Sequence, residues 1–204
     1  MSPRTKHAFR SWFGHAARDR RGSVITEMAL LIGPMCIMVF GLMEMGLAFW
    51  ANSLLDNATH EAARKIRTGQ LQTAAAAAAA GAEAGAEAPT ADEMFKTELC
   101  GSMKALLKCD DGRLYYDVRE SSSFGTVDLS PPPTDEEAGV IITQFQPGTR
   151  DEVILVRTYY KWGLITPGIR HLLKNHTDAD GNLLLSSTVA FRNEPFPEIA
   201  SADE

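Results

Sequence analysis

The sequence predicts an α+β protein: a long N-terminal transmembrane and stem helix carrying a small exported head with a short antiparallel sheet. Three observations point there. A 24-residue apolar run, Met28–Ala51, holds a single charged residue, Glu44. A period-four apolar pattern then continues through Leu54, Ala58, Ala62 and Ile66. Three later runs are rich in alternating β-branched and aromatic residues, the pattern of half-buried strands.

The apolar run is long enough for a membrane. A span needs roughly 20 such residues to cross about 30 Å of hydrocarbon, and a soluble core helix is rarely apolar all round for this length. The charge distribution gives its orientation. Residues 1–21 carry six basic side chains against Asp19 alone, +5, while the remaining 14 basic and 25 acidic side chains sum to −11 within a net charge of −6. A basic head on an acidic body is the reverse of a nucleic-acid binder, whose positive surface sits on the folded domain. It matches a span whose positive end stays in the cytoplasm, with everything after about Asn52 outside. A conventional secretory signal fits poorly, because the apolar region exceeds 7–15 residues and no convincing A-x-A site follows it, "AFWANS" being a poor candidate.

The chain divides into a basic leader (1–22), a membrane span (23–51), a juxtamembrane stem (52–72), an alanine-rich connector (73–89) and an exported head (90–204). Arg64, Lys65 and Arg67 before Gly69 read as the stem's C-terminal stop. Pro34 should kink the span or remove one of its hydrogen bonds, which neighbouring helices can tolerate. The connector, "TAAAAAAAGAEAGAEAP", mixes the best helix former with Gly81, Gly85 and Pro89, so it reads as partly helical. Thr90 and Glu93 form a capping box that opens a helix, or helix pair, ending near Cys109. Strands are expected at 113–120, 151–162 and 182–191, with an exposed loop between the first two and a short helix or turn at 165–173.

Cys100 and Cys109 lie nine residues apart in the exported portion, where oxidation is permitted. They read as a disulfide closing a short loop, with two buried free thiols as the alternative; Cys36 reads as a packing residue in the span. No metal site or cofactor is expected. His60-Glu61-Ala62-Ala63-Arg64 has the start of a zinc-protease pattern, but Arg64 stands where the second histidine is needed. His171 and His176 form no ligand pattern with the cysteines. No catalytic residue is assigned: phosphate-binding, nucleophile-elbow and dinucleotide motifs are missing from the sequence. Asp135-Glu136-Glu137 reads as a solvated loop and Tyr159, Tyr160 and Trp162 as sheet packing.

The remaining feature is "RRGSVITEMALL" at residues 20–31, which puts one carboxylate, Glu27, at the mouth of the span. A cut after Gly22 would make Ser23 the first residue and Glu27 the fifth. This stretch resembles the class III signal of type IV pilins and pseudopilins. Together with Glu44 before "MGLAFW", "THEAARKIRTG" at 59–69 and "VAFRNEPF" at 189–196, it resembles the TadE-like family, pseudopilins of the tight-adherence (Flp) pilus machinery. The resemblance implies a pilin-like shape and cleavage after Gly22 by a prepilin peptidase. It further implies assembly with other pilins or pseudopilins, with a platform protein and an ATPase acting indirectly, at the bacterial inner membrane. Glu27 would then meet the freed amine of a neighbouring subunit; alternatively it sits in the headgroup region. Glu44 lies 21 residues beyond the cut, about 32 Å up the helix, near the outer edge of the bilayer. It is either solvated there or in contact with another subunit's helix. The rival function is an uncleaved single-span envelope protein that scaffolds a secretion complex. A membrane-anchored envelope hydrolase is a third, weaker reading.

Overall fold

The computed structural model describes residues 23–82, 88–109, 112–128, 130, 141–166, 173, 177–178 and 180–196. The basic leader, Gly22, the acidic loop at 135–137, His171, His176 and most of the expected turn at 165–173 lie outside them.

The apolar run and the period-four pattern form one helix, α1 (Ser23–Arg67), 45 residues long and continuous through Pro34. Its last turn carries Arg64, Lys65 and Arg67, cations placed favourably at the negative end of the helix dipole. Termination falls at Gly69, whose φ of 71° is left-handed and whose N–H donates to Ile66 O at 2.9 Å. Only glycine suits this position twice over, since a Cβ there would also run into the Phe196 ring. The C-terminal segment is thereby laid across the end of the stem. Glu194 N–H donates to Arg67 O at 2.8 Å, and its carboxylate pairs with the Arg67 guanidinium at 3.3 Å.

The connector begins as a helix, α2 (Gln70–Gly81), so the stem of the sequence reading is two helices that turn at Gly69. Alanine has the lowest propensity cost of any residue in a helix, which explains order without a buried face over most of this stretch. The capping box is present at the start of α3 (Ala91–Met103): Glu93 N–H donates to Thr90 Oγ1 at 3.2 Å, and Thr90 N–H to the Glu93 carboxylate at 2.9 Å. One face of α3 buries Phe95, Leu99 and Met103, spaced by four.

Four strands follow: β1 (Leu114–Ser121), β2 (Gln144–Phe145), β3 (Val153–Gly163) and β4 (Asn182–Arg192), in the order β2-β1-β3-β4. β3 pairs antiparallel with β1 and with β4. The sheet is mixed, however, because β2 adds a parallel edge through Asp117↔Gln144 and Val118↔Phe145. Two residues carry no readable period, so this edge was invisible in the sequence.

The core lies between the sheet and the second half of α1, closed by α3. Ala51, Leu55, Ala58, Ala62 and Ile66 face Tyr116, Val118, Ile154, Val156, Tyr160 and Leu185, with Phe95 against Tyr116 at a centroid distance of 5.2 Å. Three alanines on the helix face let backbone and sheet approach closely. Polar pairs fix the register across this contact. Thr59 Oγ1 donates to Leu55 O at 2.7 Å and so accepts from the Thr158 hydroxyl, 2.6 Å away. Ser187 Oγ donates to Asp56 Oδ1 at 2.7 Å.

The other face of the sheet is also covered. Asp117 is fully buried and its Oδ1 accepts from Arg119 Nε at 2.9 Å, while Arg119 also pairs with Asp128 at 2.7 Å. Arg157, equally withdrawn from solvent, donates to the Asp128 and Ser130 carbonyls. This network straps the chain after β1 over the sheet. Hydrogen bonds from Ser130, through its side chain and its backbone N–H, hold the Asp128 carboxyl below its ordinary range.

Candidate functional site: the exposed half of the stem and its joint with the head

The first five turns of α1 touch almost nothing. Val24, Leu30, Leu31, Met38 and Phe40 all stand more than half exposed, with Leu30 at 76%. Side chains of this kind cover the whole circumference of the helix, so the exposure is not one stripe awaiting one partner. It is the surface a helix presents to hydrocarbon or to a bundle of like helices. Among the described residues α1 is the one helix long and apolar enough to cross a membrane.

Glu27 stands on this exposed half, one turn from the helix start. Ser23 is the first residue of α1, and Gly22 lies outside the described residues.

Glu44 sits where the exposed half meets the head. It is 3% exposed and lies on the same face as Gly41, Ala48 and Ala51, all buried. Its carboxylate accepts the backbone N–H groups of two consecutive residues, Ile165 and, at 2.9 Å, Thr166, just after β3. The sequence reading offered solvent or another subunit as its surroundings. The structure places it instead in a contact within its own chain, because the β3–β4 connection comes down to meet the stem. Two charge-assisted hydrogen bonds to backbone donors make this the strongest polar joint between helix and loop. Leu173, further along the same connection, reaches α1 beside Pro34, Ile37, Met38 and Gly41.

Cys100 and Cys109 are joined in a disulfide with their Cα atoms 5.7 Å apart, clamping the end of α3 to the chain that leads into β1. Cys36 is a free, partly buried thiol on α1. Among the described residues no three histidine, cysteine or acidic side chains are gathered in a metal-binding arrangement. His60, from the truncated zinc motif, pairs loosely with Asp56 at 3.8 Å on the surface of α1.

The sequence reasoning missed the Glu44 joint and the Asp117–Arg119–Arg157 network. Both link residues far apart in the chain, and neither has a periodic signature. A usable signal for the first existed: one carboxylate at the end of an apolar run, in phase with the small residues Gly41, Ala48 and Ala51.

No curated protein and no solved structure matches the chain. A family model described as TadE-like protein matches residues 22–64, from the glycine before α1 almost to the end of the stem. Over that segment the chain is similar to TadE-like proteins, the family associated with the tight-adherence pilus system.

Proposed function

We propose that the chain is a minor pseudopilin of a tight-adherence pilus or related secretion apparatus, cleaved after Gly22 and assembled through its N-terminal helix. The observation that carries this reading is where the family match starts. The family match begins at Gly22, the residue expected before the cut, and Glu27 then stands fifth from that cut, at the mouth of an apolar helix. The positive leader directs insertion with the head on the outer, periplasmic face of the inner membrane. A prepilin peptidase then releases the leader, leaving a Ser23 α-amine whose ordinary pKa is about 7.7–8.0, so it is largely protonated at neutral pH.

Glu27 meets that amine on a neighbouring subunit and fixes the register between the two helices, a role in which a buried polar pair sets specificity more than stability. Lipid contacts along Val24–Met43 are exchanged for contacts with neighbouring stems, while the head stays outside. The platform protein and ATPase act on the assembly and not on this head. The chain itself is a structural subunit, with no catalysis of its own and no nucleic-acid partner.

The competing reading, an uncleaved single-span scaffold, needs no cut and no free amine. Intact mass and N-terminal sequencing of the membrane protein, with and without the prepilin peptidase, separate the two. A peptidase-dependent start at Ser23, abolished by Gly22→Trp, supports the pseudopilin. A start at Met1 in both samples rejects it.

A further inference from the structure

The end of the head nearest the membrane contains a recess with an unusual lining: Lys108, Arg113, Trp162, Leu106, Leu164 and Ile165. Its position follows from Glu44. Ile165 is tied by its N–H to that carboxylate, which lies about 32 Å along the helix from Ser23 and so at the outer edge of a bilayer of ordinary thickness. The recess therefore opens at headgroup level. Ile165 is 75% exposed beside it, and Trp50, half exposed on α1, follows Glu44 by six residues, about 9 Å, within the depth of the interfacial region that aromatics favour.

Apart from the Tyr160 hydroxyl, which is engaged with the Lys108 backbone, the polar side chains of the recess are all donors. The side chains of Lys108 and Arg113 are exposed and have no ion-pair partner among the described residues. The indole N–H of Trp162 is closed off from solvent and has no acceptor among them either. The backbone of Lys108 is held in place by Tyr160, whose hydroxyl lies 3.2 Å from both its N and its O. Asp110 and Asp111, between the two cations in sequence, lie outside the described residues. An acidic head with two cations and an indole donor that have no partner among the described residues, beside an apolar wall, is arranged for an anion with a greasy attachment.

We propose that this recess binds the phosphate of an anionic phospholipid in the outer leaflet, with Lys108 and Arg113 on the phosphate, Trp162 donating to an ester or phosphate oxygen, and Leu106, Leu164 and Ile165 against the first acyl carbons. The site rests on the membrane-spanning character of α1 and is independent of cleavage at Gly22. It gives the head a second hold on the membrane and limits its swing about the stem.

The full chain is reconstituted in nanodiscs as a W12F/W50F variant, leaving Trp162 as the sole indole. Brominated phosphatidylglycerol should quench Trp162 more than brominated phosphatidylcholine at equal mole fraction. The excess apparent affinity should fall about fivefold for each of Lys108→Gln and Arg113→Gln, the usual worth of one basic residue near an anionic surface. In the unaltered chain, native mass spectrometry should find phosphatidylglycerol retained over phosphatidylcholine, and this preference lost in the double Gln variant. Equal quenching by the two lipids, an excess that survives both substitutions, or displacement by soluble glycerol phosphate would overturn the proposal; the last would assign the recess to a free phosphate.

Discussion

The two halves of α1 have the same backbone and opposite surroundings. From Met28 to Met43 the helix is apolar on every side and packs against little of its own chain; from Glu44 onward it joins a folded domain. The change shows in residue choice. Leucine, isoleucine, methionine and phenylalanine ring the first half. Past Met45, Leu47, Phe49 and Trp50, which still stand exposed, the second half narrows its apolar residues to one buried face, Ala51, Leu55, Ala58, Ala62, Ala63 and Ile66, and turns polar elsewhere. Bulk without direction suits hydrocarbon or a bundle, where packing replaces the hydrophobic effect as the driving force. Small residues in phase suit a sheet that must come close. Glu44 marks the change of regime, and its burial is affordable because two backbone N–H groups meet it.

The comparison predicts unequal consequences for truncating large apolar side chains. Phe95→Ala, which empties a fully buried site between Tyr116 and Phe145, should cost the head about 3–5 kcal/mol in denaturant unfolding followed by near-ultraviolet circular dichroism in micelles. Leu30→Ala, on the exposed half, should leave that transition within about 0.5 kcal/mol. A large head destabilisation by Leu30→Ala would break the division.

Next in size is the covalent clamp. Removing the Cys100–Cys109 bridge as the paired serine variant should lower head stability by about 2–3 kcal/mol, the range for closing a short loop. Insertion of α1, measured by resistance to carbonate extraction, should not change.

At the joint, Glu44→Ala strands the Ile165 and Thr166 N–H groups and should cost about 1–3 kcal/mol. Glu44→Gln retains one acceptor oxygen and should lose less. Hydrogen exchange at the two amides checks the local origin of the effect: both should exchange faster in the alanine variant, with β1 and β3 protected as before.

The smallest effect is a titration. Burial, and then the Asp92 carboxylate to which its hydroxyl donates at 2.7 Å, push the Tyr116 phenol well above its ordinary value of 10. A group whose folded pKa is raised contributes stability that is fully present below the unfolded value and is lost as pH rises toward the folded one. Head stability should therefore hold through neutral pH and decline above about pH 10. Phenolate absorbance should show Tyr116 ionising after the ordinary tyrosine range, and in step with unfolding.

Much of this architecture was legible in the sequence where a local rule governs it. The helical pattern was expected to stop at the basic residues before Gly69, and α1 ends at Arg67, because an apolar period followed by basic residues and a glycine is a strong signal. Three expected strands lie within two residues of β1, β3 and β4, each long enough to display alternation. The Thr90–Glu93 box is a four-residue motif and reads directly. What escaped depends on tertiary neighbours. β2 is too short for a period, and its parallel pairing breaks the purely antiparallel expectation. Asp117 and Arg157 look like ordinary polar strand residues until the segment at 128–130 covers them. Glu44 finds its partners 121 and 122 residues away.

The measurement that tests the two-regime helix most directly is nitroxide scanning of residues 24–67 in single-copy nanodiscs, reading collision with lipid-soluble oxygen and with a water-soluble nickel complex. High oxygen access is predicted from Val24 to Met43 at every position except the buried Gly41. From Glu44 on, both quenchers should vary with a 3.6-residue period, with minima at Ala48, Ala51, Leu55, Ala58, Ala62 and Ile66. A periodic minimum running unbroken back to Val24 would contradict the account, since it would mean that the first half also has a buried face within its own chain.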